Sequence, residues 1–180
     1  MKISIKKIVL TALMIALVFL ITYLPFLHIP SPIAQGYFNV GDAAIMITAI
    51  LLGRSSGFIA GAIGSALADL VYGAFYFAPI TFIVKGVEGL VIGAIANKKG
   101  KGTPSAARKL IAFAVGALVM VAGYFIFEMT VIRFIFDKTL AITAIAAELP
   151  GNLIQGAVSV ILAYAFHTVL NRTGVVNKLN

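Results

Sequence analysis

The chain has 180 residues, of which 61% are hydrophobic and only 11% charged, with no cysteine and a formal net charge of +8. A soluble domain covers its surface with about 25% charged residues, so an ordinary soluble fold is excluded; the missing cysteine excludes a disulfide framework, thiolate metal sites and a cysteine nucleophile. The basic excess fits loops beside anionic lipid rather than nucleic acid, and at about 20 residues per crossing the length accommodates six membrane spans with short connections.

The first apolar run, 8–24, follows Lys2, Lys6 and Lys7. It is longer than a signal-peptide core and no A-x-A site follows it, so it reads as span one. Pro25, Pro30 and Pro32 then stop any helix, and the stretch to Gly41, with Gln35, Tyr37 and Asn39, is expected to form a structured loop of the length used for lids. Span two, 40–52, is short, and Gly53-Arg54-Ser55-Ser56-Gly57 is expected to be a turn, because irregular backbone has no partners in lipid. Span three is 58–72 and span four 78–96. The loop 97–109 carries Lys98, Lys99, Lys101, Arg108 and Lys109 beside Gly100 and Gly102; it lacks the upstream glycine and the Ser or Thr of a phosphate loop. Span five is 110–130, a mixed segment with Asp137, Lys138 and Thr139 follows, and span six is 150–170, with Pro150 expected in its first helical turn.

Sorting the charges over six spans orients the chain. Of the 14 cations, Lys2, Lys6, Lys7, Arg54, Lys98, Lys99, Lys101, Arg108, Lys109, Arg172 and Lys178 fall on the side of the N-terminus, the pattern of cytoplasmic loops, and Lys85, Arg133 and Lys138 do not. Asp42, Asp69, Glu128, Asp137 and Glu148 fall near the opposite face, and Glu88 lies within span four. An odd number of spans would force a basic cluster outside. The expected fold is therefore an all-α membrane protein, a single domain of six transmembrane helices with both termini cytoplasmic.

Ionisable residues inside spans cost several kcal/mol unless they face a cavity or a partner. Lys85 and Glu88 stand at i and i+3 on span four, close enough to neutralise each other, with Thr81 one turn away. They form either a ligand-facing pair or an internal ion pair between helices. On span six, Glu148, Asn152, Gln155 and Ser159 make one polar stripe, suited to a neutral, heteroaromatic or hydroxylated solute or to hydrogen bonding between helices. On span three, Gly57, Gly61, Ser65, Asp69 and Gly73 recur every four residues; the glycines read as close packing, whereas Asp69 with Tyr72 could reach a ligand. Gly86, Gly89 and Gly93 on span four read as packing, and Glu128 is a weaker acidic candidate. Ala12 and Ala16 on span one form a small-x-x-x-small pattern. His28 and His167 fall at opposite faces and cannot share a metal, so no metal site or cofactor is implied.

No H-E-x-x-H, G-x-S-x-G or phosphate loop is present, so no protease, hydrolase elbow or intrinsic ATPase is written in the chain. An intramembrane enzyme using Glu88 or Glu148 lacks a second catalytic motif. A stand-alone carrier or channel is disfavoured because the halves show no inverted repeat.

The chain resembles the substrate-binding S-components of energy-coupling factor (ECF) vitamin transporters, in particular their riboflavin-transporter-like group. The resemblance covers essentially the whole chain and rests on the basic N-terminus with Ala12-x-x-x-Ala16, Asn39-Val40-Gly41-Asp42, Lys85-Gly86-x-Glu88-Gly89 and Glu148-Leu149-Pro150-Gly151-Asn152-x-x-Gln155. It implies a multi-pass protein of the cell membrane that captures a vitamin or precursor at its outer face and docks through Ala12 and Ala16 on a transmembrane coupling subunit. Two cytoplasmic ATPases would drive release. Among such proteins it looks most like those for hydroxymethylpyrimidine or a pyridoxine-like ring, with riboflavin the next choice. Asn39, Asp69, Tyr72, Lys85, Glu88, Glu148, Asn152 and Gln155 are the expected substrate-binding residues.

Overall fold

The computed structural model describes residues 4–30, 37–97, 104–136, 141–174 and 176. Lys2, Gln35, Lys98, Lys99, Lys101, Asp137, Lys138 and Lys178, with the side chain of His28, lie outside the described residues. The described chain forms six α-helices: α1 Ile5–Tyr23, α2 Gly41–Leu52, α3 Arg54–Tyr72, α4 Ala78–Ala96, α5 Ala106–Phe127 and α6 Ile142–Arg172. Five of them are long and apolar enough to cross a membrane; α2, with 12 residues, is shorter. At about 1.5 Å per residue α2 is only about 18 Å long. It is also almost wholly buried and touches all five other helices, so it is the central post of the bundle.

Local chemistry sets the helix ends. Ser4 caps α1 by accepting from Lys7 N–H at 3.2 Å, and Ser105 caps α5 by accepting from Arg108 N–H at 3.3 Å. Leu24 precedes Pro25 and takes an extended conformation, which ends α1. A 3₁₀ turn, Pro25–Leu27, leads into a hairpin of β1 His28–Pro30 and β2 Tyr37–Asn39, antiparallel with Ile29 opposite Phe38. Gly73 closes α3 in the left-handed region at φ 95°, where its N–H reaches the Asp69 carbonyl. Beyond α5 the helix continues as a π-helical stretch, Glu128–Phe136.

Two expected boundaries are corrected. The break after α2 is a single residue: Gly53 reverses the chain at φ 88°, and Arg54 already begins α3. The polar residues of that first turn need no loop, because Arg54 and Ser55 are exposed at the end of the bundle and Ser56 Oγ accepts from Thr11 Oγ1 at 2.9 Å. Pro150 does not open α6 but lies inside it, and the helix begins at Ile142. The alanine-rich run from 141 to 147 has high helix propensity and carries the helix across the proline, which leaves the Ala146 carbonyl without its usual donor. A smaller shift extends α5 back to Ala106.

Small residues let α3 and α4 pack backbone against backbone. A Cβ at Gly57 would strike the Gly89 carbonyl at 2.7 Å, one at Gly61 would strike the Lys85 carbonyl, and one at Gly93 would strike the Arg54 backbone. The outward faces are apolar, among them Leu13 and Leu17 on α1, Ile63 and Leu67 on α3, and Ile161 on α6. In this geometry Gly89→Leu is expected to force α3 and α4 apart and lower the unfolding temperature in detergent by several degrees, since the clash is with backbone that cannot rotate away. Ile63→Leu on the outer face is expected to leave it unchanged.

Candidate functional site

The bundle has two chemically different ends. At one, Lys7 of α1 lies beside Gly53, the Asn97 side chain donates to the Ala49 carbonyl at 2.8 Å, and Lys109 Nζ stands 3.3 Å from His167 Nδ1. This end gathers the start of α1, the α2–α3 junction, the end of α4, the start of α5 and the end of α6. The described cations Lys6, Lys7, Arg54, Arg108, Lys109 and Arg172 belong to it. The other end holds a cavity with about 560 Å³ of empty space, its opening included.

That cavity is built around a buried ammonium. Asp42, in the first turn of α2, is in direct contact with Lys85 Nζ from α4, and Glu88 Oε2 lies 3.9 Å from the same nitrogen. The Tyr124 ring stands 5.3 Å away as a cation–π neighbour. All three charged side chains are essentially without solvent exposure. The expected i, i+3 pairing of Lys85 with Glu88 is therefore secondary: Asp42 takes the ammonium directly, and neither Glu88 oxygen makes a hydrogen bond. The second Asp42 oxygen accepts from Gln155 Nε2 of α6 at 2.6 Å. Gln155 Oε1 in turn accepts from the Asn39 N–H at 2.9 Å, and Asn39 Oδ1 accepts from the Gly41 N–H at 2.7 Å.

These bonds seat the hairpin on the bundle. The Phe38 ring fills the notch left by Gly151 on α6, where any Cβ would overlap it. The Tyr37 hydroxyl donates to Asp69 Oδ1 at 2.8 Å, and its ring stacks obliquely on Tyr72 with centroids 4.6 Å apart. Burial, reinforced by the Asp69 carboxylate, holds the Tyr37 phenol above its ordinary pKa, so it stays a donor. Thr81 and Tyr124, which also line the cavity, share a hydroxyl hydrogen bond of 3.0 Å.

Of the expected binding residues, Asn39, Asp69, Lys85, Glu148, Asn152 and Gln155 line this one cavity. Tyr72 packs behind Tyr37, and Glu88 lies behind Lys85 without reaching the lining. The lining also includes Thr22, Ser65 and Phe77, which sequence reasoning did not single out as ligand contacts. Ser65 could have been found from its place one turn before Asp69 on the same helix face; Thr22 and Phe77 carry no such signal. Ser159, the last member of the α6 stripe, is buried without a hydrogen-bond partner and lies outside the lining. Ala12 and Ala16 are exposed on the outer face of α1. Among the described residues no group of three or more acidic or histidine side chains is placed to hold a metal ion.

A bundle of long apolar helices enclosing a polar cavity at one end defines a multi-pass membrane protein with the makings of a solute-binding site. The chain belongs to the family of ECF-type riboflavin transporter S components, whose profile it matches over residues 2–172. It is 29% identical over 174 residues to the thiamine precursor transporter HmpT of Lactococcus lactis, covering 97% of this chain and 93% of that protein. It is also 43% identical over 97 residues to an uncharacterised Pyrococcus woesei protein and 35% identical over 96 residues to a UPF0397 protein of Streptococcus agalactiae. These two matches cover 54% and 53% of this chain, and the chain spans only 62% and 50% of those relatives.

The buried cluster holds two acids and one base, which fixes the order of its variants. Lys85→Met leaves both carboxylates without a cation and is expected to cost about 3 kcal/mol or more. Asp42→Asn leaves Lys85 beside Glu88 and is expected to cost less; adding it to Lys85→Met is expected to recover part of the loss. Chemical denaturation in detergent micelles reads all three.

Proposed function

We propose that this chain is the membrane-embedded substrate-binding subunit of an ECF-type importer for a vitamin or vitamin precursor, with hydroxymethylpyrimidine or a pyridoxine-like ring the favoured substrate. The observation that carries the reading is the convergence of Asn39, Asp69, Lys85, Glu148, Asn152 and Gln155 on one cavity, at the end of the bundle opposite Lys6, Lys7, Arg54, Arg108, Lys109 and Arg172. The thiamine precursor named for the Lactococcus relative supports the pyrimidine choice, and the family description supports riboflavin as the second.

The basic end then faces the cytoplasm, with six crossings and both termini inside. The hairpin covers the cavity from the outside, and ligand enters between it and the helix ends. Tyr37, Phe77 and Tyr124 supply aromatic surface for a ring. The exposed Ala12–Ala16 face of α1 is the docking strip for a transmembrane coupling subunit, whose two ATPase partners supply the energy for release; small side chains there let another helix approach closely.

Two variants separate capture from docking. Asn152→Leu is expected to lower ligand affinity at least about 100-fold, because it removes a polar contact inside a desolvated site, while leaving assembly with the coupling subunit intact. Ala12→Phe is expected to abolish co-purification with that subunit and leave ligand binding unchanged. The reverse pattern would overturn the assignment, and mass analysis of small molecules retained by the purified chain identifies the ligand.

A further inference from the structure

Carboxylates outside the Lys85 cluster also line the cavity. Asp69 of α3 and Glu128, the first residue of the π-helical stretch, both line it, 5% and 6% exposed. Among the described residues no cation comes within ion-pair distance of either. Asp69 Oδ1 receives the Tyr37 hydroxyl, but Oδ2 makes no hydrogen bond. One turn earlier on α3, Ser65 lines the same cavity at 1% exposure with its Oγ unsatisfied. Glu148 adds a third carboxylate close to Glu128. Glu128 follows Tyr124 by one turn on the same helix face, where the backbone changes to π-helical geometry of the kind that recurs at functional sites.

Lys85 forms its ion pairs with other acids. Its ammonium is taken by Asp42, with Glu88 and the Tyr124 ring as further neighbours. A solute rich in carbonyl oxygens would set lone pairs against carboxylates and leave both sides unsatisfied, at the full desolvation cost. A solute that presents N–H donors would satisfy them. A ring amino group beside a protonated ring nitrogen offers two parallel N–H bonds to one carboxylate, the fork geometry that makes charge-assisted pairs strong.

We propose that Asp69 and Glu128 are the specificity-determining acceptors of the cavity and that its ligand is a heteroaromatic amine with an amidine-like edge, an amino group adjacent to a basic ring nitrogen. The inference rests on the capture reading above and narrows it: pyridoxine-like and flavin rings lack such an edge, and an aminopyrimidine has one. Tyr37, Phe77 and Tyr124 flank the ring, and Ser65 Oγ is placed for a further polar contact.

The test is calorimetric titration of the purified full chain in detergent with three probes: 4-amino-5-hydroxymethyl-2-methylpyrimidine, its 4-oxo counterpart and riboflavin. The amino compound is expected to bind at least about 100-fold more tightly than the 4-oxo compound, since a site built around hydrogen-bond donors of its ligand rejects an analogue that lacks them. Glu128→Gln and Asp69→Asn are each expected to reduce that ratio to about tenfold or less, because a carboxamide keeps an acceptor but loses the charge. Thermal unfolding verifies that the variants fold, and the ratio itself would not move if the two residues served structure alone. Tighter binding of riboflavin or the 4-oxo ring overturns donor recognition while leaving capture of a vitamin intact. An unchanged ratio in both variants also overturns it. Failure of all three probes overturns it as well, and mass analysis of the retained ligand then decides the capture reading separately.

Discussion

A single buried ammonium organises the polar end of this bundle. Lys85 sits on α4 inside an otherwise apolar assembly, where an uncompensated charge would cost several kcal/mol or neutralise itself. Its compensation comes from two directions: Glu88 from the next turn of the same helix, and Asp42 from the first turn of α2. The second contact explains why a 12-residue helix occupies the centre of the molecule. A longer α2 is unnecessary, because its task is to bring Asp42 to Lys85 and Gln155 while its apolar sides fill the space among the five surrounding helices. The backbone contact between α3 and α4 then places Lys85 deep enough to be reached, since Gly61 packs directly on the Lys85 carbonyl.

The same network carries the structure outward. Gln155 uses one end of its amide on Asp42 and the other on the Asn39 backbone, so the hairpin, α6 and the charge cluster share hydrogen bonds. Phe38 in the Gly151 notch adds an apolar anchor beside this polar one. A two-stranded hairpin has marginal stability alone; here its second strand is held at all three residues, by Tyr37 to Asp69, by Phe38 to α6 and by Asn39 to Gln155. Among the described residues, the opposite end of the bundle holds no buried ion pair, only isolated polar groups such as the Thr11–Ser56 pair and His167. Its charges stand at helix termini, and the packing beneath them is apolar, with Met46, Ile50, Ile92, Phe113 and Ala163 in one cluster.

Much of this was legible in the sequence because membrane helices are written in local terms. Apolar runs of the right length locate the six helices, and glycines at four-residue spacing on 57 and 61, with 89 and 93 opposite, announce close helix packing. What local reasoning misses is what depends on contacts between distant segments. Asp42 is 43 residues from Lys85, and at sequence level the nearer Glu88 is the obvious partner. Pro150 looks like a helix start until the alanine-rich segment before it extends the same helix, because propensity and tertiary packing override a single breaker. The Gly53 turn is shorter than its polar neighbours suggest, because Ser56 finds its partner in Thr11 on α1. Glu88 and Tyr72 share helix faces with residues that reach the cavity yet stand behind others, a difference of depth that periodicity does not encode.

The division of hydrogen bonds among the polar residues bears directly on recognition. Gln155 has one lone pair and one N–H remaining after its bonds to Asn39 and Asp42, and the Lys85 charge already faces Asp42. The floor of the cavity is thus largely satisfied by itself and serves to position rather than to select. Unsatisfied capacity lies on the walls, at Ser65 Oγ and Asp69 Oδ2, with Glu128 and Asn152 beside them. Of the buried polar groups without a hydrogen-bond partner, Glu88 and Ser159 stand outside the lining, whereas Ser65 Oγ and Asp69 Oδ2 border space that water or solute can fill. The wall residues lie on α3, on the π-helical stretch after α5 and on α6, so a substitution among them leaves the Asp42–Lys85 pair between α2 and α4 in place.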